Sequence, residues 1–137
     1  MINVVPRRGA TIQSMIEEYC ISHMITVCLK CKKDRKHICN IEIKELPKVL
    51  SIVLNRFDKI TKITAPVCLE KMIKLNNHKY KLLSIIHHHG TTKNNGHYTA
   101  SATYSNMFHC DDDKVTTQEH NTLSASTTVY VALYRKC

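Results

Sequence analysis

Residues 96–114 read GHYTASATYSNMFHCDDDK, and this stretch decides how the chain folds around them. His97 to Tyr104 alternates as a half-buried strand does, and Tyr104-Ser105-Asn106 has turn chemistry, so the chain doubles back. With the turn centred near residues 104 to 106, an antiparallel return strand sets residues 112 to 114 opposite His97. Directly opposed side chains on one face of such a pair lie about 5 Å apart. A carboxylate of Asp111-Asp112-Asp113 therefore reaches the imidazole. A carboxylate that fixes a histidine tautomer and stabilises the imidazolium supplies two members of a nucleophilic triad, and the nucleophile must come from elsewhere. The same letters also fit a histidine that opens a hairpin near solvated acids. Two of the chain's three glycines, Gly90 and Gly96, bracket the loop that leads into His97.

Working outward, Ile12, Met15, Ile16 and Tyr19 recur at the spacing of an amphipathic helix. From His37 to Lys44 the pattern changes to alternation, with Cys39, Ile41 and Ile43 facing one way and Asn40, Glu42 and Lys44 the other. Val49 to Leu54 is nearly continuous in apolar residues. Tyr80 to Ile86 and Thr127 to Tyr134 are similarly rich, a pattern that predicts strands covered on both faces. The fold class is α+β, a mostly antiparallel sheet with a peripheral N-terminal helix. Asp58 to Pro66 is short and only partly polar, so it reads as a connection between strands, and residues 1–137 form a single unit. No segment has the length and composition of a membrane span, and Met1 to Ala10 lacks a signal-peptide core.

Seven cysteines, an odd number in no regular framework, fit a reducing cytosolic or nuclear setting. Cys28-Leu29-Lys30-Cys31 has the spacing of half a zinc ribbon, in which four thiolates close a tetrahedral site. One pair does not close it; Cys20, His23, His37 and Cys39 are local substitutes, and the alternative is a pair of reduced thiols at a hairpin tip. His87-His88-His89 cannot easily converge on one metal, because neighbouring strand residues point to opposite faces. The formal charge of +9 raises the question of nucleic acid. The one dense cationic run, Lys30, Lys32, Lys33, Arg35 and Lys36, lacks interleaved aromatic platforms and reads as a solvated hairpin tip, so a nucleic-acid binder ranks last.

Four ordered blocks resemble the ubiquitin-specific protease family of cysteine deubiquitinases. Leu46-Pro47-Lys48-Val49-Leu50 leading to Leu54-Asn55-Arg56-Phe57 looks like that family's strand before its variable insert, with Asn55 where lysine usually stands. Tyr80 to Gly90 with His88, followed by Gly96-His97-Tyr98-Thr99-Ala100, looks like the histidine box. Asp111-Asp112-Asp113-Lys114-Val115 looks like the acidic motif, and Val129 to Arg135 the closing strand. The resemblance implies His97 as general base, Asp111 as the residue that orients it, and Asp112 as a neighbour that shares or assumes that role. Met107 and Cys110 stand where the family usually has tryptophan and phenylalanine.

The family's cysteine box does not occur in these residues. Cys20 falls at a helix C-terminus, where the partial negative charge opposes thiolate formation, and Cys110 reads as a small packed residue on a strand. The resemblance therefore implies a partial papain-like domain, with palm and remnant fingers but without the thumb that bears the nucleophile. It implies ubiquitin or a ubiquitinated protein as partner, hydrolysis at the ubiquitin C-terminus as the reaction, and no cofactor for catalysis. Glu17, Glu18 and the Asp111 cluster are the acids available to ubiquitin's basic tail. Zinc at Cys28 and Cys31 would be structural; in the family the second cysteine pair lies on an upstream hairpin. The chain alone is expected to lack turnover, the alternative being a noncatalytic ubiquitin-binding or decoy protein.

Overall fold

The computed structural model describes residues 1–58, 61–118 and 125–137. Among them, strand β1 (Ile2–Val4) precedes helix α1 (Ile12–Cys20), a hairpin of β2 (Ile21–Val27) and β3 (Asp34–Asn40), and β4 (Val49–Leu54). There follow β5 (Met72–Leu75), β6 (His78–His89), β7 (His97–Thr103), β8 (Met107–Asp111), β9 (Lys114–Gln118) and β10 (Val129–Lys136). The main sheet runs β1-β4-β10-β6-β7-β8-β9, with β5 also on β6, while β2 and β3 form a separate ribbon. Only the β1–β4 pair is parallel among the described ladders.

The helix begins where Thr11 caps it. Its hydroxyl accepts from the Ser14 amide at 3.1 Å and the Ser14 hydroxyl accepts from the Thr11 amide at 3.1 Å, so two free donors of the first turn are satisfied. Glu70 adds a carboxylate at the same end, accepting from the Ile12 amide at 2.9 Å, where the helix dipole favours negative charge. Ile12, Met15 and Ile16 are buried, as their spacing predicts. They join Leu50, Ile52 and Leu54 of β4, Tyr80, Leu82 and Ile85 of β6, and Ala132 and Tyr134 of β10 in one core.

Several expectations need correction. The strand expected from His37 to Lys44 runs instead from Asp34 to Asn40, because its register is set by pairing with β2, a strand the apolar pattern did not reveal. The apolar run Val49 to Leu54 is fully buried on one face only: Leu50, Ile52 and Leu54 lie in the core, while Val49 is 45% exposed. The β5–β6 hairpin was also missed, although Asn76 (φ +47°) and Asn77 (φ +66°) are the residue type that tolerates a left-handed two-residue turn. The connection Asp58 to Pro66 includes residues 59 and 60, which lie outside the described residues.

Arg56 is completely buried just past β4. Its Nε donates to the Val129 carbonyl at 2.5 Å and one terminal nitrogen donates to the Ser126 carbonyl at 3.0 Å. The other terminal nitrogen donates to the carbonyls of Ile63 (3.0 Å) and Ala65 (2.9 Å). Burial lowers the guanidinium pKa to about 10, so it remains protonated at neutral pH, solvated by backbone oxygen in place of water. Replacing Arg56 with Met removes the donor from the carbonyls of Val129, Ile63 and Ala65, whereas that of Ser126 still accepts from the Val67 amide at 3.0 Å. At about 1–3 kcal/mol for each buried group left unpaired, denaturant unfolding is expected to show a loss of at least about 3 kcal/mol. Arg56→Lys should recover only part of it, because an ammonium lacks the planar fork.

Candidate active site

β7 and β8 pair Ala100 with Cys110, Ser101 with His109, Ala102 with Phe108 and Thr103 with Met107. The turn is closed by the Tyr104 amide donating to the Asn106 carbonyl at 2.9 Å. Continuing that register would set residue 113 opposite His97, but β8 ends at Asp111. Asp112 takes φ +50°, and the chain reverses into β9 with Asp111 paired to Lys114. Residues 112–114 therefore do not form the return strand opposite His97 that the alternation predicted. Asp111, diagonal to His97 and on the same face, makes the contact: His97 Nε2 lies 2.5 Å from Asp111 Oδ1. Asp112 completes the cluster, with ligand-type atoms of His97, Asp111 and Asp112 all within 4.8 Å of one another.

The electrostatics follow from that bond. Hydrogen bonding to Asp111 raises the His97 pKa above its ordinary 6.5, with the charges of Asp111 and Asp112 adding to the effect. The same bond lowers that of Asp111 below 3.8. Both side chains are about half exposed, so the pair is screened. Its contribution to stability is fully present above the ordinary carboxylate value and below the ordinary imidazole value of 6.5. It fades as acid protonates Asp111 and as base deprotonates His97. With Nε2–H donating to the carboxylate, His97 presents Nδ1 as the free basic nitrogen.

The loop before His97 is locked from the reverse face. His88 is buried against Tyr98 (ring centroids 4.9 Å) and Phe57 (5.1 Å), and burial lowers its pKa, so it is neutral. Lys62 Nζ donates to the carbonyls of His88 (2.5 Å) and Gly90 (3.0 Å), tying the end of β6 to the segment that Arg56 holds. A Cβ on Gly96 would stand 2.2 Å from His88 Nε2 and 2.6 Å from the His89 carbonyl oxygen; one on Gly90 would meet the Asn95 carbonyl at 2.6 Å. Both glycines are required by close approach, and at Gly90 also by a φ of +139°.

One part of the neighbourhood was not foreseen as a group. His87 and His89 stack on the His97 face (centroids 6.1 Å) with His109 beside His87 (6.5 Å), while His88 turns to the other side. They line a cavity of about 210 Å³ with Met107, Ser101 and Thr128. Met107 is itself buried. Burial, with the nearby His89 and His109, lowers the His87 pKa to about 4. The His-x-His spacing and His109 on the next strand but one were the available signal.

The cysteines divide by position. Cys110 pairs with Ala100 and so points to the face opposite His97. Cys20 ends α1, where burial and Glu17 raise its pKa. Of the helix acids, Glu18 pairs with Arg7 and Glu17 accepts from Gln13 Nε2 at 2.8 Å. Cys28 and Cys31 sit at the tip between β2 and β3. The proposed substitute ligands are not there: Cys39 pairs with Ser22 and His37 with Met24. At about 3.3 Å per residue, these two lie roughly 13 to 20 Å down the ribbon. His23 lies in the half of β2 away from the tip, and Cys20 ends α1 ahead of the ribbon.

Comparison with known proteins agrees with this architecture. The profile described as ubiquitin carboxyl-terminal hydrolase matches residues 10–134. Human ubiquitin carboxyl-terminal hydrolase 3 is 31% identical over 128 residues, covering 79% of this chain and 24% of that protein. Mouse ubiquitin carboxyl-terminal hydrolase 17-like protein A is 30% identical over 102 residues, covering 65% and 19%. Among solved structures, a yeast SAGA DUB module superimposes with a TM-score of 0.84 at 19% identity, over 99% of this chain and 35% of the matched one. The SAGA DUB module of Ubp8, Sgf11, Sus1 and Sgf73 bound to monoubiquitin gives 0.82, also at 19% identity and with the same coverage. The chain belongs to the ubiquitin carboxyl-terminal hydrolase family, in its ubiquitin-specific protease branch of cysteine deubiquitinases. It spans about a quarter of the length of the curated relatives it matches. No helix among the described residues is long and apolar enough to cross a membrane.

Two substitutions test the geometry. In Asp111→Asn the His97 pKa, followed by NMR titration of its ring protons, is expected to fall from above 6.5 toward that ordinary value. In Gly96→Ala the carboxylate is intact, yet displacement of the loop should lower the His97 pKa in the same direction. An unchanged titration in either variant would show that the Asp111 bond does not govern the imidazole.

Proposed function

We propose that this chain carries the base-and-acid half of a cysteine deubiquitinase centre, acting on the bond at ubiquitin's C-terminus. The observation that carries it is the His97 Nε2–Asp111 contact at 2.5 Å, which leaves Nδ1 free to take a thiol proton. In the full reaction Nδ1 accepts that proton and the imidazolium is held by Asp111, with Asp112 close by. The thiolate attacks the carbonyl carbon, and His97 returns the proton to the leaving amine. Water activated by His97 then hydrolyses the thioester. Asp112 and Asp113 are exposed at the mouth of this site and suit the basic tail that the family binds.

For the isolated chain we infer ubiquitin binding with little or no turnover. Cys110 is on the wrong face and Cys20 is at the wrong end of its helix, so neither supports His97 as a thiol partner. The test pairs two measurements on the purified chain. With a ubiquitin C-terminal amide reporter the expected rate equals background, and a ubiquitin-derived electrophilic probe labels no cysteine. Titration with ubiquitin should show association that weakens when Asp112 and Asp113 are both changed to Asn. Turnover abolished by His97→Ala would overturn the inactivity; failure to associate would overturn ubiquitin as the partner. Binding unaffected by His97→Ala, Asp111→Asn or the double Asn variant would favour the noncatalytic alternative.

A further inference from the structure

Three imidazoles lie on the His97 face outside the His97–Asp111 pair. His87 and His89 stand two residues apart on β6 and share that face, while His88 turns away; His109 lies on β8, two strands over. Strands two apart in a sheet are separated by roughly 10 Å. Yet the ring centroids of His87 and His109 are 6.5 Å apart, and those of His87 and His89 6.1 Å. The rings can lean together because β7, between them, carries small side chains here: Thr99 is paired with His87 and Ser101 with His109.

The cavity of about 210 Å³ at this place is lined by all three imidazoles, by serine and threonine hydroxyls, and by no carboxylate or thiol. Two of the rings are oriented through one nitrogen, which leaves the other available. His87 Nδ1 meets Thr128 Oγ1 at 3.0 Å, and His89 Nε2 meets Thr99 Oγ1 at 2.9 Å. A hydrogen bond at the far nitrogen is how metal-bound imidazoles are held. The other contacts are long: Ser101 Oγ stands 3.4 Å from His87 Nε2 and 3.5 Å from His109 Nδ1. Two ring nitrogens thus face one hydroxyl that satisfies neither well. Burial, with the nearby His89 and His109, lowers the His87 pKa to about 4, so this ring is in the neutral form that ligates.

We propose that His87, His89 and His109 bind one divalent transition-metal ion, zinc foremost, in this cavity and so tie β6 to β8 across β7. Neutral nitrogen ligands suit Zn2+ and its neighbours, whereas Ca2+ and Mg2+ take oxygen. Three imidazoles hold zinc with a fourth position for water. Asp111 supplies countercharge, since its field reaches both His89 and His109. Among the described residues, only His97, Asp111 and Asp112 already gather three ligand atoms within 4.8 Å. The imidazole trio closes when its rings turn about χ2 into the cavity and displace the Ser101 hydroxyl. His89 is exposed at the mouth, which gives the ion a way in. Because β7 and β8 carry His97 and Asp111, an ion here braces the strands beneath that pair. The inference does not depend on the catalytic reading.

The test uses the tag-free chain carrying Cys28→Ser and Cys31→Ser, kept reduced, so that the thiols of the ribbon tip do not compete for the ion. Calorimetric titration with Zn2+ is expected to saturate at one ion per chain, and the unfolding midpoint should rise with Zn2+ and return on chelation. Co2+ should give visible d–d absorption without thiolate-to-cobalt charge transfer. It should also shift the ring protons of His87, His89 and His109 before those of His37 and His78, a readout that needs no further substitution. His87→Gln, His89→Gln and His109→Gln should each weaken binding by at least roughly tenfold, with circular dichroism checking that each is folded. Ser101→Ala removes the competing hydroxyl and leaves every ligand in place, so it should bind at least as tightly. Absence of binding, a charge-transfer band, or binding intact in His87→Gln and His109→Gln would each overturn the proposal. So would binding lost in Asp112→Asn, which would place the ion at His97.

Discussion

A guanidinium without a carboxylate partner among its bonded groups organises the centre of this protein. Arg56 reaches three backbone segments at once, the end of β4 that bears it, the connection at Ile63 and Ala65, and the chain entering β10 at Ser126 and Val129. A buried charge is tolerated only where oxygen replaces water, so these carbonyls must hold their positions for the fold to persist. Because β10 is paired with both β4 and β6, the start of β10 sets where β6 ends, and the His88 amide donates to the Thr128 carbonyl at 2.8 Å. Lys62, on the segment Arg56 holds, then grips the His88 and Gly90 carbonyls. Backbone hydrogen bonds thus connect a core arginine to the loop that delivers His97.

The site itself is the product of one hairpin and two close approaches. The β7–β8 register sets His97 and Asp111 on one face, and the tight packing of Gly96 on His88 fixes where β7 begins. Nothing in this arrangement requires deep burial. The pair is half exposed, and its raised imidazole pKa comes from a direct bond to the carboxylate rather than from a dry environment. Covering this pair would strengthen it, because exclusion of water sharpens the same charges.

Helix α1 and the strands β4, β6 and β10 were legible because their signals are local: a 3.6-residue recurrence at Ile12, Met15 and Ile16, and apolar runs long enough to name a strand. The hairpin turn after Thr103 was legible for the same reason. The β2 strand was not, since Ile21-Ser22-His23-Met24-Ile25-Thr26-Val27 lacks clean alternation and its pairing with β3 covers it on neither face. Arg56 stood in a recognisable strand motif, but a sequence does not say which carbonyls will solvate a charge 73 residues away in the chain. Likewise, which acid of Asp111-Asp112-Asp113 meets His97 depended on a positive-φ turn at Asp112 that three identical letters do not mark.

By itself the sequence determined the family and singled out His97 and the acidic cluster that meets it, because each depends on residue type and on spacing along one short hairpin. Only the tertiary structure decided that Asp111 is the partner, that Nδ1 is the free nitrogen, and that Cys110 faces away. It also separated Cys28 and Cys31 from the other thiols and histidines of the ribbon. Those outcomes turn on register and on which face of a sheet each residue occupies, and a shift of one residue reverses every one of them.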